Sequence, residues 1–386
     1  MVTLNRLLNN RYSQWFRALV RNWRECALGA WHLVLFFFFK PPEKSVLILE
    51  PHRYHGEILP GFAKYVHDAG YHIIVCCRYH IYADDPFCRC QFPVRRFCLT
   101  LFGMRWILRS RLMANYDFVL ITSHCVSLDE WRYYGSYLKL LGSLPKSRHG
   151  LFVIEHYDND CNSETLALQC RFFALTARDL PDGNSMPMLN PHYFGKFTPH
   201  TLSSQKRIFI TVGRVINSQN RNFTELLDAL HKLAEYKNFE VWVIGNVRDS
   251  ALAEELPAQV RLLGRLTFAQ MYDAMDKADF FLPLLDPHNP LHQRYLTGCT
   301  SGSRQLVLGF NIIPVIHSKF AKCYDFTDDN AILHEDQKLF EAMHQALQMT
   351  PDEYRMKQTS LAQLRKQVYN VSLANLQKAI ESCRKN

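Results

Sequence analysis

A chain of 386 residues is too long for one hydrophobic core and fits two α/β domains plus an appendage. Its 48% hydrophobic and 21% charged residues make a globular composition. Its 12 cysteines are scattered singly or in the pairs Cys76/Cys77 and Cys88/Cys90, with no cleavable secretory signal, which argues against a disulfide scaffold and for reduced thiols in the cytosol.

The formal net charge of +9 is concentrated rather than spread. Arg6, Arg11, Arg17, Arg21 and Arg24 precede the first acidic residue, Glu25, and interleave with Trp15, Phe16, Leu19, Val20 and Trp23 at roughly helical spacing. An apolar run follows from Cys26 to Phe39, contains His32, stops at Lys40-Pro41-Pro42, and is shorter than the ~20 residues a spanning helix needs. Residues 1–44 therefore read as a basic, aromatic, membrane-associating segment. Within it residues 1–40 lie in an anionic surface, with arginines on lipid phosphates and aromatic rings at the headgroup boundary. A helix packed on the protein's own core is the alternative. No nucleic-acid partner is expected, since no helix-turn-helix, RRM or zinc-finger pattern is present.

After Pro42, short aliphatic runs alternate with amphipathic stretches, the pattern of βαβ units and parallel sheets. Strands are expected at 46–49, 73–75, 118–121, 151–154 and 172–175, with a helix through Phe62 to Val66 ended by Gly70. The Arg- and aromatic-rich stretch 87–113 fits no element, and is a candidate for a second basic, membrane-facing surface. The Cys88-x-Cys90 pair near His80 lacks a second ligand pair at a recognisable spacing, so no metal is expected there. Breakers from Pro181 to Pro199 mark a linker between a domain at 45–195 and one at 205–365. A C-terminal helix is expected at 366–386. In the second domain strands are expected at 207–212, 240–244, 260–264, 280–284 and 312–316, with helices opening at Asn222 and Arg304.

Three motifs of this second domain, together spanning about residues 205 to 320, carry a family resemblance. Thr211-Val212-Gly213-Arg214 with Arg221-Asn222-Phe223 puts a glycine and two guanidinium groups between a strand and a helix start, where a backbone can approach a diphosphate and fixed cations can meet its developing charge. Val260 to Leu266 is a strand ending in Gly264-Arg265-Leu266. Thr300-Ser301-Gly302-Ser303 opens a helix with more N–H and hydroxyl donors than capping needs. This order resembles the nucleotide-binding half of the GT-B glycosyltransferases.

The resemblance implies an α/β fold of two Rossmann-like domains with a cleft between them. Its donor-binding positions are Gly213, Arg214, Arg221, Asn222, Gly264, Arg265, Leu266, Asp286, Thr300, Ser301, Gly302 and Ser303. The spaced glutamate pair of the commonest retaining members is absent between Leu282 and Phe310, and Asp286 is the substitute for contact with sugar hydroxyls. In the first domain the turn His52 to Glu57 sits where relatives have an acceptor-side loop, and Glu57 or His55 is the candidate base for an inverting reaction. His156, after the 151–154 strand, is the candidate for contact with sugar or diphosphate. The expected activity is transfer of a sugar from a nucleotide-sugar to a glycan or glycolipid acceptor at the cytoplasmic face of the inner membrane. It uses no cofactor and no metal, because arginines and helix dipoles do the neutralising. A nucleotide-sugar epimerase of the same fold and a non-catalytic membrane-bound partner protein are the competing readings.

Overall fold

The structure is a computed structural model that describes residues 23–124, 150–156, 171–179, 185–198, 200–202, 206–213, 221–246 and 256–384. Helix α1 covers residues 23–38. The first domain then runs β1 (Ser45–Glu50), α2 (Leu59–Asp68), β2 (His72–Cys77), α3 (Tyr79–Asp84), β3 (Val94–Cys98), α4 (Leu101–Arg109), β4 (Phe118–His124), β5 (Gly150–Glu155) and β6 (Arg171–Ala174). A small antiparallel pair, β7 (Arg178–Asp179) and β8 (Ser185–Met186), leads into the linker. The second domain has β9 (Arg207–Val212), α5 (Phe223–Lys232), β10 (Phe239–Ile244), β11 (Val260–Gly264), α6 (Phe268–Met275), β12 (Phe280–Phe281), α7 (Gly302–Phe310), β13 (Ile313–His317), α8 (Ser318–Cys323), β14 (Ile332–His334) and α9 (Leu339–Gln348). It closes with α10 (Pro351–Arg384).

Both sheets are parallel and share one strand order, β3-β2-β1-β4-β5-β6 and β11-β10-β9-β12-β13-β14. A parallel strand covered on both faces must be apolar throughout, and β1 is buried at every residue. Its alternation divides two layers: Val46 and Ile48 enter the core shared with α2, while Leu47 and Leu49 enter the one shared with α4. Each order reverses beside its first strand, between β1 and β4 and between β9 and β12. Open α/β sheets bind ligands at the carboxyl ends of the strands at such reversals.

The stretch 87–113 that fitted no element holds β3 and α4. Helix α1 is laid over this part, with Gly29 so close to Thr100 that an added Cβ would sit 2.9 Å from its methyl. Its buried side carries Glu25, His32 and Phe36, whereas Trp23, Trp31, Val34, Leu35, Phe37 and Phe38 are exposed. The helix thus turns its apolar side outward. Glu25 pairs with Arg78 (2.6 Å) and reaches toward Arg53 (3.9 Å), and His32 Nδ1 accepts the Cys98 N–H (2.9 Å). Among the described residues no helix is long and apolar enough to cross a membrane.

The linker is gripped from both domains. A Cβ on Gly61 of α2 would lie 2.4–2.6 Å from the Pro191 backbone, and one on Gly309 of α7 would lie 2.3 Å from the Phe194 ring. Arg89 binds Asp276 (2.7 Å) and Asp273 on α6, and Tyr272 donates to the Pro86 carbonyl (3.2 Å). The last helix starts at Pro351, well before residue 366, because Thr350 and Glu353 form reciprocal caps (2.8 and 3.3 Å) ahead of a proline suited to the first turn. Its Leu361 and Val368 belong to the second domain's core, and its Leu376, Ala379 and Ile380 to the first domain's.

Candidate active site

At the reversal in the first sheet, β1 ends on a carboxylate, Glu50, that is fully buried. One oxygen accepts the His52 N–H (2.6 Å), and the other accepts the hydroxyls of Thr122 and Ser123 on β4 (2.7 Å each). Burial pushes the Glu50 carboxyl up to about 7, against the pull of His55 and of the three donors. The turn that follows packs three imidazoles in a row, His52 on His55 (4.5 Å between centroids) and His55 on His156 (5.0 Å). His156 reaches the row from the end of β5. Its Nε2 lies 2.8 Å from the Thr122 carbonyl, which only accepts, so that nitrogen carries the proton. Its backbone N–H donates to the buried Glu155 (2.9 Å).

The neighbours differ in electrostatics. His52 is pulled down to about 3 by burial and by the charges of His55 and Arg78, and its Nδ1 accepts the Tyr54 N–H (3.1 Å). Burial also pulls His55 down, but the Glu57 carboxylate 3.6 Å away, with Glu50 behind it, holds His55 above its ordinary value. A row containing one neutral and one readily protonated imidazole is suited to taking up a proton from a hydroxyl. Gly56 is required here by the other domain, since a Cβ would meet Phe268 of α6 at 2.8 Å.

At the reversal in the second sheet, Gly213 follows β9 with φ +152°, and a Cβ there would lie 3.1 Å from the Arg221 guanidinium. Arg221 donates to the Val212 carbonyl (3.0 Å), and Tyr295, Tyr324 and Arg294 act on it electrostatically. Tyr324 also accepts the Ser301 N–H at the start of α7 (3.1 Å). The Thr211 hydroxyl is buried at the end of β9 without a hydrogen-bond partner among the described residues. Leu284, after β12, is held at φ +50° with its carbonyl on the Asn222 N–H (2.8 Å), a strained conformation for a bulky side chain.

Several expected donor residues have structural duties. Asn222 is the N-cap of α5, bonded to the Glu225 N–H (3.2 Å). Ser301 is the N-cap of α7, bonded to the Ser303 N–H (3.3 Å) and hydroxyl (3.2 Å), and Thr300 is bonded to Thr176 of the first domain. The hydroxyl surplus read from the sequence is therefore taken up internally. What opens to free space is Gly302, which an added Cβ would leave without contacts. Gly264 is likewise open at φ +65°, Arg265 is exposed, and Leu266 packs on the second domain's core. Asp286 Oδ1 accepts the His288 N–H (2.7 Å), closing its own loop. Arg214 lies outside the described residues.

Sequence reading missed Glu50, Thr122, Ser123, Tyr324 and Arg304. Arg304 is buried at the first turn of α7 and bridges Thr176 (2.9 Å) and Asp325 (3.0 Å), which joins the two domains. A charge closing an aliphatic run was the visible sign of Glu50. No three His, Cys, Asp or Glu side chains among the described residues are grouped to hold a metal.

The buried imidazoles have a measurable effect on stability. His52, His192 and His334 are pulled by burial to about 3, about 3 and about 4, below the ordinary 6.5. Between these values the unfolded chain binds protons that the folded chain refuses, so stability falls as pH drops below 6.5. The slope is at most ~1.4 kcal/mol per pH unit per histidine, less for the partly exposed His52. Glu50 acts oppositely between 4.5 and about 7, and so does His55, whose raised value adds stability as pH falls, so the two offset part of the effect. Urea unfolding is expected to show a lower midpoint at pH 5 than at pH 7; an equal or higher midpoint at pH 5 contradicts neutral buried histidines.

Two matched Rossmann-like sheets whose reversals face one crevice define the GT-B fold, and this chain has it. Solved structures of that fold superpose on most of the chain at low identity. An alpha-glucosyltransferase in complex with UDP and a 13-mer DNA containing a HMU base gives a TM-score of 0.53 at 13% identity, over 85% of this chain and 94% of its own. HepE from Anabaena, in complex with UDP and glucose, gives 0.51 at 12% identity, over 88% and 100%. The glycosyltransferase SnogD from Streptomyces nogalater gives 0.50 at 14% identity, over 87% and 99%. No protein-family model and no curated protein matches the sequence.

Proposed function

We propose that the crevice transfers a sugar from a nucleotide-diphosphate sugar to a hydroxyl of a lipid-linked or polysaccharide acceptor at the cytoplasmic face of a membrane. The observation that carries this reading is Gly213 pressed onto the Arg221 guanidinium at the end of β9, in the domain whose α7 opens at Gly302 with free space beside it. A diphosphate seated there meets a fixed guanidinium and a helix dipole, both of which act on charge that grows as the glycosidic bond breaks. That UDP is bound in two of the similar structures supports a uridine nucleotide as the first donor to try.

On the acceptor side, His55 or Glu57 takes the hydroxyl proton, and His156 orients the sugar. No divalent ion is needed for the leaving group, so activity in EDTA is expected to match that in Mg2+. A membrane-borne acceptor is supported by the outward aromatic side of α1, which meets α4 where the Phe37 and Trp106 rings lie 6.1 Å apart, and by the exposed Arg24, Lys40, Arg109 and Arg111 on these two segments.

The test is thermal unfolding with UDP, GDP and their sugars. At about 100 times Kd a ligand of the native state adds about 2.7 kcal/mol, a shift of a few degrees. If no nucleoside diphosphate raises the melting temperature, the donor site is wrong. If one does, slow hydrolysis of its sugar without acceptor separates an enzyme from a non-catalytic partner.

A further inference from the structure

We propose that Glu50 is a positioning residue, whose buried carboxylate clamps the His52–Glu57 turn to the hydroxyls of β4 and so fixes the place of the His55 imidazole against His156. Burying a carboxylate costs several kcal/mol, and the four residues before it in β1 are aliphatic, so a strand end made for stability alone would be apolar. Here the carboxylate has donors on both of its oxygens, and all of them come from the two strand ends that border the sheet reversal. His52 N–H holds the turn, and Thr122 and Ser123 hold β4. Thr122 continues the connection, because its carbonyl accepts from His156, and His156 packs at a tilt against His55 (5.0 Å between centroids, 45°). One carboxylate thus sets the spacing of β1, β4 and β5 at the point where the imidazoles meet. It has no exposed surface, so it touches neither donor nor acceptor.

Glu50 also adds negative potential. Among the described residues the titratable groups around His55 are Glu57 and His52 on its own turn, Glu50 from β1 and His156 from β5, with Arg78 acting on His52. Removing the Glu50 charge leaves Glu57, among the described residues, as the carboxylate raising the proton affinity of His55. The clamp itself stands on the geometry, whereas its effect on turnover rests on the transferase reading above.

The experiment uses the full chain with Glu50→Gln, Glu50→Asp and Ser123→Ala, and two readouts. The first is NMR titration of the histidine rings, with the His55 signal assigned by its loss in His55→Gln. The titration midpoint of His55 is expected to fall by about one pH unit in Glu50→Gln and to recover at least half of that in Glu50→Asp. The second readout is donor turnover. Here kcat is expected to fall ~100-fold in Glu50→Gln with KM for the donor changed less than ~3-fold, and Glu50→Asp is expected to regain about tenfold. Ser123→Ala, which removes one of the three hydrogen bonds and little volume, covers the case in which Glu50→Gln does not fold; it is expected to lower kcat about tenfold at unchanged KM.

An unchanged His55 titration in folded Glu50→Gln overturns the proposal. So does a loss of kcat that follows lost thermal stability and is not rescued by aspartate, since that marks a purely structural carboxylate. If the parent protein turns over no donor, the transferase reading fails, and the titration still decides the role of Glu50.

Discussion

Replacing Arg221 with alanine is expected to weaken nucleoside-diphosphate binding by about 10- to 100-fold and to lower donor turnover by a further 100-fold or more. The first figure corresponds to one charge-assisted hydrogen bond, about 1.5–3 kcal/mol. The second is what the loss of one preorganised donor to a leaving group costs elsewhere. Arg221 is preorganised in the sense this requires. Its guanidinium is bonded to the Val212 carbonyl (3.0 Å) and lies beneath Gly213, whose lack of a side chain gives a phosphate access to it. Burial lowers its proton affinity, yet an arginine starts so high that it stays charged. Gly213→Ala is a second route to the same loss, because its methyl would sit 3.1 Å from the guanidinium and displace it. Isothermal titration with UDP and GDP measures the first effect and single-turnover hydrolysis the second. An unaltered affinity in a folded Arg221→Ala protein would remove the diphosphate from this end of β9.

The second large effect concerns lipid. A triple change of Trp31, Phe38 and Trp106 to serine is expected to reduce partitioning onto phosphatidylserine-containing vesicles by about a thousandfold or more. These side chains are 59%, 75% and 40% exposed, so Trp31 and Phe38 offer most of their surface to a bilayer and Trp106 a part of its own. Each aromatic ring carries 150–250 Å2 of apolar surface, and at about 25 cal/mol per Å2, discounted for partial insertion, contributes on the order of 2 kcal/mol. Phe37 and Trp106 approach within 6.1 Å, which makes α1 and α4 one continuous face. Flanking Arg24, Lys40, Arg109 and Arg111 add roughly 1 kcal/mol each on an anionic surface, and that part is lost in high salt. Cosedimentation with vesicles of phosphatidylserine and of phosphatidylcholine alone tests both terms. Equal binding by parent and triple variant would assign the aromatic face to something other than a bilayer.

How much of this was legible in the sequence follows from the range of the interactions. Aliphatic runs such as Val46 to Leu49 report burial on two faces, a local property, and both parallel sheets could be read from them. β3 was not legible because among the described strands it is an edge that pairs with β2 alone, so Arg95 and Arg96 are tolerated within it. α4 was obscured by Phe102 and Trp106, which are exposed and break the amphipathic pattern. The approach of Gly213 to Arg221 is local and could be read from the strand-to-helix motif that holds both. The duties of Thr300 and Ser301 could not, because Thr300 bonds a residue 124 positions away and Tyr324 meets Ser301 from 23 positions beyond. The histidines of the 52–57 turn were visible in the sequence. The carboxylate that organises them was not, since its partners on β4 lie 72 and 73 residues on and no spacing rule connects them.

The last helix has a consequence for how the molecule comes apart. Because α10 supplies Leu361 and Val368 to one core and Leu376, Ala379 and Ile380 to the other, neither lobe can melt without stripping apolar cover from its neighbour. Heat or denaturant therefore meets a single cooperative unit. A truncation that stops near residue 366 would release a first lobe with an open seam, prone to self-association.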